Sequence, residues 1–318
     1  MKDWRYHIII GSLKVLACLP LCVLYVISDV LAFVVHRIIR YRVKVVRKNL
    51  RNALPERSEK ERRRIERAFY RHLGDCVVET VKLLHISDKD LFRRIEIRNS
   101  ELIDSAFADG CSVIMYLGHY GNWEWVQTVS KVFHGNDVSG EIYRRLYNPT
   151  MERVMQRVRS RFDTVCIPQE NAVRTLLRMH AEGKKFIIGF IADQYPNSWN
   201  FHYWTDFLNQ RAAYVTGGEE IGRRVGARFV YLEVDKPNRG HYIMTFKPIE
   251  IAADSIDEYP YTLQFLRMFE EHIRRSPEYW LWSHNRWRYK EPDPEDTDAK
   301  PESDAAESTA GAEQSAGN

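Results

Sequence analysis

Ser112-Val113-Ile114-Met115-Tyr116-Leu117-Gly118-His119-Tyr120-Gly121-Asn122-Trp123-Glu124-Trp125 is the stretch on which the reading of this chain turns. Its apolar run, Ser112–Leu117, is short and bounded by glycine, which suits a buried strand better than a helix. Gly118 and Gly121 allow the backbone to turn tightly and to come close to a ligand. Asn122 is a suitable N-cap, which places Glu124 in the first turn of a helix over Trp123–Val132. A strand that hands over to a helix in this way belongs to an open α/β sheet, and ligands bind at the carboxyl ends of such strands.

The pattern repeats outward. Val138–Tyr143, Thr164–Ile167, Phe186–Ala192 and Phe229–Val234 read as further strands. Pro149–Arg161, Ala172–Glu182 and Tyr214–Val225 read as the helices between them, and Gly183 is a good helix stop. This alternation predicts an α/β fold with a mainly parallel central sheet flanked by helices. The turn Pro237-Asn238-Arg239-Gly240 leads into Tyr242–Lys247, an expected antiparallel addition, and a final helix covers about Thr262–Arg275.

Upstream the composition differs. Ile8 to Val35 is dominated by Ile, Leu, Val and Ala, interrupted by Lys14, Pro20 and Asp29. The reading is a membrane helix kinked at Pro20; a full span and an interfacial seat both fit, since only 14 residues between Lys14 and Asp29 are free of charge. A signal peptide, for which no convincing small-residue cleavage site follows, and a buried core helix are the alternatives. From Arg37 to Arg71 there are 14 Lys and Arg against four Glu. Such a flank marks the cytoplasmic side and attracts anionic headgroups. Ser58-Glu59-Lys60-Glu61 fits a capping box opening a helix to about Leu84, with Ile65, Phe69, Leu73, Cys76 and Val77 on one face.

The overall charge of +4 hides an asymmetry: Glu291–Asn318 carries nine acids and one lysine, leaving +12 on residues 1–290. A basic body suits an anionic partner such as a membrane surface, an acidic carrier protein or a phosphorylated lipid. Nucleic acid is the weakest option, because the basic region is not interleaved with aromatics and carries no known nucleic-acid-binding pattern. The tail has no large apolar residue and is expected to be disordered. Five cysteines, with no CxxC pair, argue against a disulfide scaffold and for a reducing compartment. His134, His180 and His202 show no ligand spacing, so no metal is expected.

The chemistry lies in His119 and Glu124. A histidine held by a carboxylate takes a proton from a hydroxyl, because the acid fixes its tautomer and stabilises the imidazolium. His119, just before the turn, can fold back towards Glu124, and free N–H groups near Gly121 can receive an oxyanion. No serine or cysteine nucleophile is needed if the acceptor hydroxyl itself attacks an activated acyl group. Each residue also has a plain use: Glu124 as an acid at a helix N-terminus, His119 as a turn histidine.

The run His119 to Glu124 resembles the HX4D/E motif of the glycerolipid-type acyltransferases, in the Glu form of the lipid A late acyltransferases. Further blocks resemble that family in order: Tyr143-Arg144-Arg145-Leu146-Tyr147-Asn148-Pro149, Ala192-Asp193-Gln194, Thr216-Gly217 before Arg223 and Arg224, and Trp280-Leu281-Trp282 with Arg286-Trp287. The similarity covers roughly Tyr41 to Lys290. Arg145 stands where the family usually has Pro, and Asn209 where a Gly is common.

The resemblance implies transfer of a fatty acyl chain from acyl carrier protein or coenzyme A to a hydroxyl of a lipid A precursor at the cell inner membrane, with no cofactor. His119 would be the general base and Glu124 its partner. Arg144, Asp193, Gln194, Asn122 and Gly121 would contact substrate; Arg144 offers a planar fork to an anionic group, and Asp193 would assist the relay or hold Arg144. The expected division is a membrane anchor at 1–36, a basic helical region at 37–100, the acyltransferase domain at 101–290 and the acidic tail at 291–318. Acylation of a lysophospholipid or a phosphoinositide mannoside is the nearest alternative, and a non-catalytic anionic-lipid binder the alternative of another class. Trp280, Trp282 and Trp287, with Tyr279 and Tyr289, fit either a membrane-interface rim or core packing, and Trp282 fits packing better.

Overall fold

The computed structural model describes residues 4–133, 137–196 and 203–291. His134, His202 and nearly all of the acidic tail fall outside them.

Two apolar helices open the chain, α1 (Trp4–Cys18) and α2 (Leu21–Phe33). They separate at Pro20, whose carbonyl accepts from Val23 N (3.0 Å) and Leu24 N (3.1 Å) to start the second helix. After a π-turn at Val34–Ile38 follow α3 (Val43–Ala53) and the long α4 (Glu59–Lys82). The capping box forms as read: Glu61 N donates to Ser58 Oγ (3.3 Å) and Ser58 N donates to Glu61 Oε2 (2.8 Å).

Then come α5 (Asp88–Phe92), β1 (Ile95–Arg98), α6 (Glu101–Ala108), β2 (Val113–Leu117), β3 (Val138–Tyr143), α7 (Pro149–Arg159), β4 (Val165–Pro168), α8 (Ala172–Ala181) and β5 (Phe186–Ile191). The hairpin β6 (Trp204–Phe207) and β7 (Gln210–Ala213), α9 (Gly217–Arg224), β8 (Arg228–Asn238), β9 (His241–Pro248) and α10 (Pro260–Arg275) complete the ordered elements. Seven strands form one sheet in the order β1-β9-β8-β2-β5-β3-β4, and β6-β7 forms a separate two-stranded sheet. Every pair in the large sheet is parallel except β8–β9.

Alternation along β2 sorts the core. Ile114 and Tyr116 join one apolar layer with Ile188, Phe265, Phe269 and Trp280. Val113, Met115 and Leu117 join the other, with Ile187, Trp125 and Phe246. A strand buried on both faces reads as a continuous apolar run, as this one does.

Three elements differ from the sequence reading. Ile95–Arg98, inside the stretch expected to be helical, is an edge strand; its alternating Ile-Glu-Ile-Arg is too short to declare itself. The segment after the Gly118–Gly121 turn is a 3-10 helix over Trp125–Val132, not an α-helix from Trp123. Leu208 and Asn209 form a two-residue hairpin turn with φ of 50° and 61°. Asparagine tolerates that left-handed geometry, so Asn209 does the work of the glycine it replaces.

Candidate active site

Sheet register builds the site. β2 and β5 are parallel neighbours with Leu117 opposite Ile191, so His119 and Asp193, each two residues further on, meet at the carboxyl edge. Ala192 N donates to Leu117 O (3.0 Å) and continues the ladder past the strand ends. His119 Nδ1 lies 2.7 Å from Asp193 Oδ1, and His119 N donates to Asp193 Oδ2 (3.1 Å). The Trp280 indole donates to the same oxygen (2.8 Å). With its carboxylate partner on Nδ1, the imidazole carries its proton there, and Nε2 is its basic nitrogen. Burial pushes the Asp193 carboxyl up, but the His119 charge and these N–H donors outweigh it and hold it at about 2. Gln194 Nε2 lies 3.2 Å from Nδ1 and 3.4 Å from Nε2 of the same ring.

The expected fold-back of His119 onto Glu124 does not occur. Glu124 accepts from Arg159 Nη2 (3.0 Å) and Nε (3.3 Å) and from Gln127 Nε2 (3.2 Å). Arg159 also pairs with Glu141 at 3.4 Å. A guanidinium between two carboxylates outcompetes a neutral imidazole for Glu124. The carboxylate on His119 is therefore Asp193.

Two further expectations need correction. Gly121, with φ of 59°, donates its N–H to Tyr279 O (3.0 Å), so that amide is not free for an oxyanion. The Asn122, Trp123 and Glu124 amides, in contrast, have no acceptor among the described residues. Asn122 is no N-cap: its Nδ2 donates to Glu79 Oε2 (2.7 Å). Arg144, at the end of β3, is exposed and donates to Tyr147 Oη (3.3 Å), so the structure does not bring it to His119.

The turn opens on an apolar cleft of about 340 Å³. Asn122, Trp123 and Glu124 line one wall; Leu13 of α1, Val77 and Val81 of α4, and Met151, Val154 and Met155 of α7 are among the others. The His119 ring meets Trp123 edge-on, with centroids 5.3 Å apart, so the imidazole lies against one of the residues that line the cleft. A family model described as bacterial lipid A biosynthesis acyltransferase matches residues 1–289. The chain belongs to that family. The lipid A biosynthesis lauroyltransferase of Escherichia coli (strain K12) is 22% identical over 288 residues, covering 90% of this chain and 92% of its own length. The palmitoleoyltransferase of the same strain and the lipid A biosynthesis acyltransferase of Shigella flexneri are each 23% identical with the same coverage. As a lipid A acyltransferase family member, the chain is an acyl-transferring enzyme.

Sequence reasoning missed several residues of this acyltransferase site. Arg159 is one positive charge in an arginine-rich helix, and nothing local sets it apart. Trp280, whose sequence setting fits a rim or core packing, is buried, and its N–H is a third donor to Asp193. Trp282, also buried, donates to Pro277 O (2.5 Å). On α4, His72 Nε2 donates to Gly121 O (3.1 Å) and the Cys76 thiol to the same carbonyl (3.4 Å). Spacing His72, Cys76 and Glu79 on one helix face was the available signal.

Proposed function

We propose that this enzyme transfers a fatty acyl chain from a thioester donor, acyl carrier protein or coenzyme A, to a hydroxyl of a lipid A precursor, with His119 as general base. The observation that carries the reading is the Asp193-held imidazole packed against Trp123, which lines an apolar cleft. The acceptor O–H gives its proton to His119 Nε2 as its oxygen bonds to the thioester carbonyl carbon. The tetrahedral intermediate collapses, the C–S bond breaks, and the imidazolium returns the proton to the departing thiolate. The Asn122, Trp123 and Glu124 amides, without an acceptor among the described residues, would receive the oxyanion. Glu124 acts through Arg159, holding a cation beside the cleft for the anionic part of donor or acceptor. Arg144, exposed and at a strand end, is a second anion contact when donor or acceptor closes over it.

Membrane attachment has its own support. Leu21–Ile38 is long and apolar enough to cross a bilayer, with mean hydropathy 2.0. Yet α2 lies along α4, and Asp29 is paired with Arg71 (2.9 Å) and Arg239 (2.8 Å), which favours an interfacial seat. Val23, Val26, Val30 and Phe33 on its free side, and Trp4, Ile8 and Val15 of α1, are exposed apolar residues. With the basic flank Arg37–Arg71, they support a seat on the cytoplasmic face of the inner membrane.

The test is mass spectrometry of the lipid product, with acyl carrier protein and coenzyme A thioesters offered separately. An ester added to the lipid A precursor is expected, with His119→Ala at least about 100-fold slower. Esterification of lysophospholipid instead, or equal rates for mutant and wild type, overturns the reading.

A further inference from the structure

Behind the catalytic turn lies a carboxylate that the reaction above does not use. Glu79 is wholly buried, yet three donors converge on it: Tyr25 Oη on Oε1 (2.8 Å), and Tyr242 Oη (2.6 Å) and Asn122 Nδ2 (2.7 Å) on Oε2. Its backbone carbonyl also accepts from the Trp125 indole (3.1 Å). Because an acceptor oxygen faces the Asn122 side chain, the amide must turn its N–H₂ there. Its carbonyl oxygen then points the other way. Asn122 lines the acyl cleft, and that Oδ1 is buried with no partner among the described residues. A buried carbonyl oxygen left unpaired is costly, and a substrate donor would supply the missing partner.

We propose that Glu79 is a positioning residue which orients Asn122, and that Asn122 Oδ1 accepts a hydrogen bond from a donor group of the acyl-transfer substrates. The inference rests on the acyl-transfer reading. Two sources supply such a donor: the acceptor lipid's hydroxyl, and the amide N–H groups on the pantetheine arm of the thioester. Either would be held one residue from Trp123, the ring that the His119 imidazole meets. Because Glu79 sits between Tyr25 of α2 and Asn122, the membrane-facing helix is braced against the catalytic turn by the same carboxylate.

The experiment uses the full chain on anionic vesicles, with kcat and both KM values measured for wild type, Glu79→Leu, Asn122→Asp and the double variant Glu79→Gln with Asn122→Asp. Melting temperature is followed for each. Asn122→Asp sets a second carboxylate against Glu79, and about 100-fold lower kcat/KM is expected at pH 8. Adding Glu79→Gln lets the introduced amide donate to the introduced carboxylate, restoring one hydrogen bond with its direction reversed. The double variant should therefore recover about tenfold or more over Asn122→Asp. A rise confined to the thioester KM identifies the pantetheine amide as the donor group; one confined to the lipid KM identifies the hydroxyl.

A double variant no faster than Asn122→Asp overturns the proposal. So does a folded Glu79→Leu enzyme with wild-type kcat and KM, since leucine leaves nothing to orient Asn122; that outcome decides the matter even if Asn122→Asp fails to fold. A wild-type protein that transfers no acyl chain removes the proposed function itself, an outcome distinct from both.

Discussion

The imidazole of His119 is held by a side chain 74 residues away, and its reactivity depends on that contact. Asp193→Asn keeps the shape but presents an amide where the ring needs an ionised acceptor for Nδ1–H. A fall in kcat on the order of 10³-fold, with KM nearly unchanged, is expected in steady-state acyl transfer. The carboxyl lies below its ordinary 3.8, so the stability it contributes is present above that pH and is lost as pH falls towards about 2. At neutral pH the asparagine variant therefore melts lower than wild type, and the difference closes in strong acid. Glu124 and Arg159 form a second unit. Glu124→Ala and Arg159→Ala should each slow transfer by similar factors, and the double variant should be little worse than either, because each single variant already removes the Glu124–Arg159 pair. Multiplying losses would show that they act separately.

Helix α2 shows why an apolar stretch need not be a span. One stripe, Leu21, Leu24, Ser28 and Ala32, is buried against the body, and Ser28 Oγ donates to Asp75 Oδ1 (2.8 Å). Close approach requires glycine at position 74: a Cβ there would lie 2.8 Å from Ser28 O and 2.9 Å from its Oγ. Gly74→Leu should cost about 1–3 kcal/mol, read as a lower melting temperature in detergent, by forcing the helices apart. The opposite stripe makes the contrary case. Val26→Glu with Val30→Glu touches no packed surface, so stability should stay within about 0.5 kcal/mol. The protein should nevertheless move from the membrane to the soluble fraction on sedimentation. Retention in the membrane fraction would refute the interfacial seat.

Across the whole molecule, α2, α4 and the β8–β9 hairpin meet in a buried ionic cluster directly behind the site. Asp75 pairs with Lys236 (3.1 Å) and Arg239 (2.6 Å), and both Asp75 and Lys236 are almost fully enclosed. Removing Asp75 strands a buried ammonium, so Asp75→Ala should destabilise by about 3–5 kcal/mol in chemical denaturation. His72 accepts from Lys236 Nζ on Nδ1 (3.1 Å) and donates from Nε2 to Gly121 O, which requires the neutral ring. Burial and then the Lys236 charge depress it from 6.5 to about 3. The unfolded chain therefore binds that proton first, and stability is lost as pH falls from about 6.5 towards 3. Melting temperature should drop across that window, and less steeply in His72→Gln, which can make both hydrogen bonds without titrating.

Local pattern carried a good deal. Ser112–Leu117 and Phe186–Ala192 declare buried strands because both faces are apolar, and the capping box at Ser58 and the break at Pro20 are written in neighbouring residues. The block order placed His119, Asp193, Gln194 and Trp280 in one family's sequence. None of this said which acid meets the imidazole. Glu124, five residues away, was the nearest candidate along the chain, whereas Asp193 is nearest in space, because parallel pairing sets Leu117 opposite Ile191. The same holds for Glu79 and Asn122, and for the cleft shared by α1, α4 and α7. Periodicity records which face of an element is apolar. Which elements then lie side by side, and in what register, is settled only when all of them pack at once.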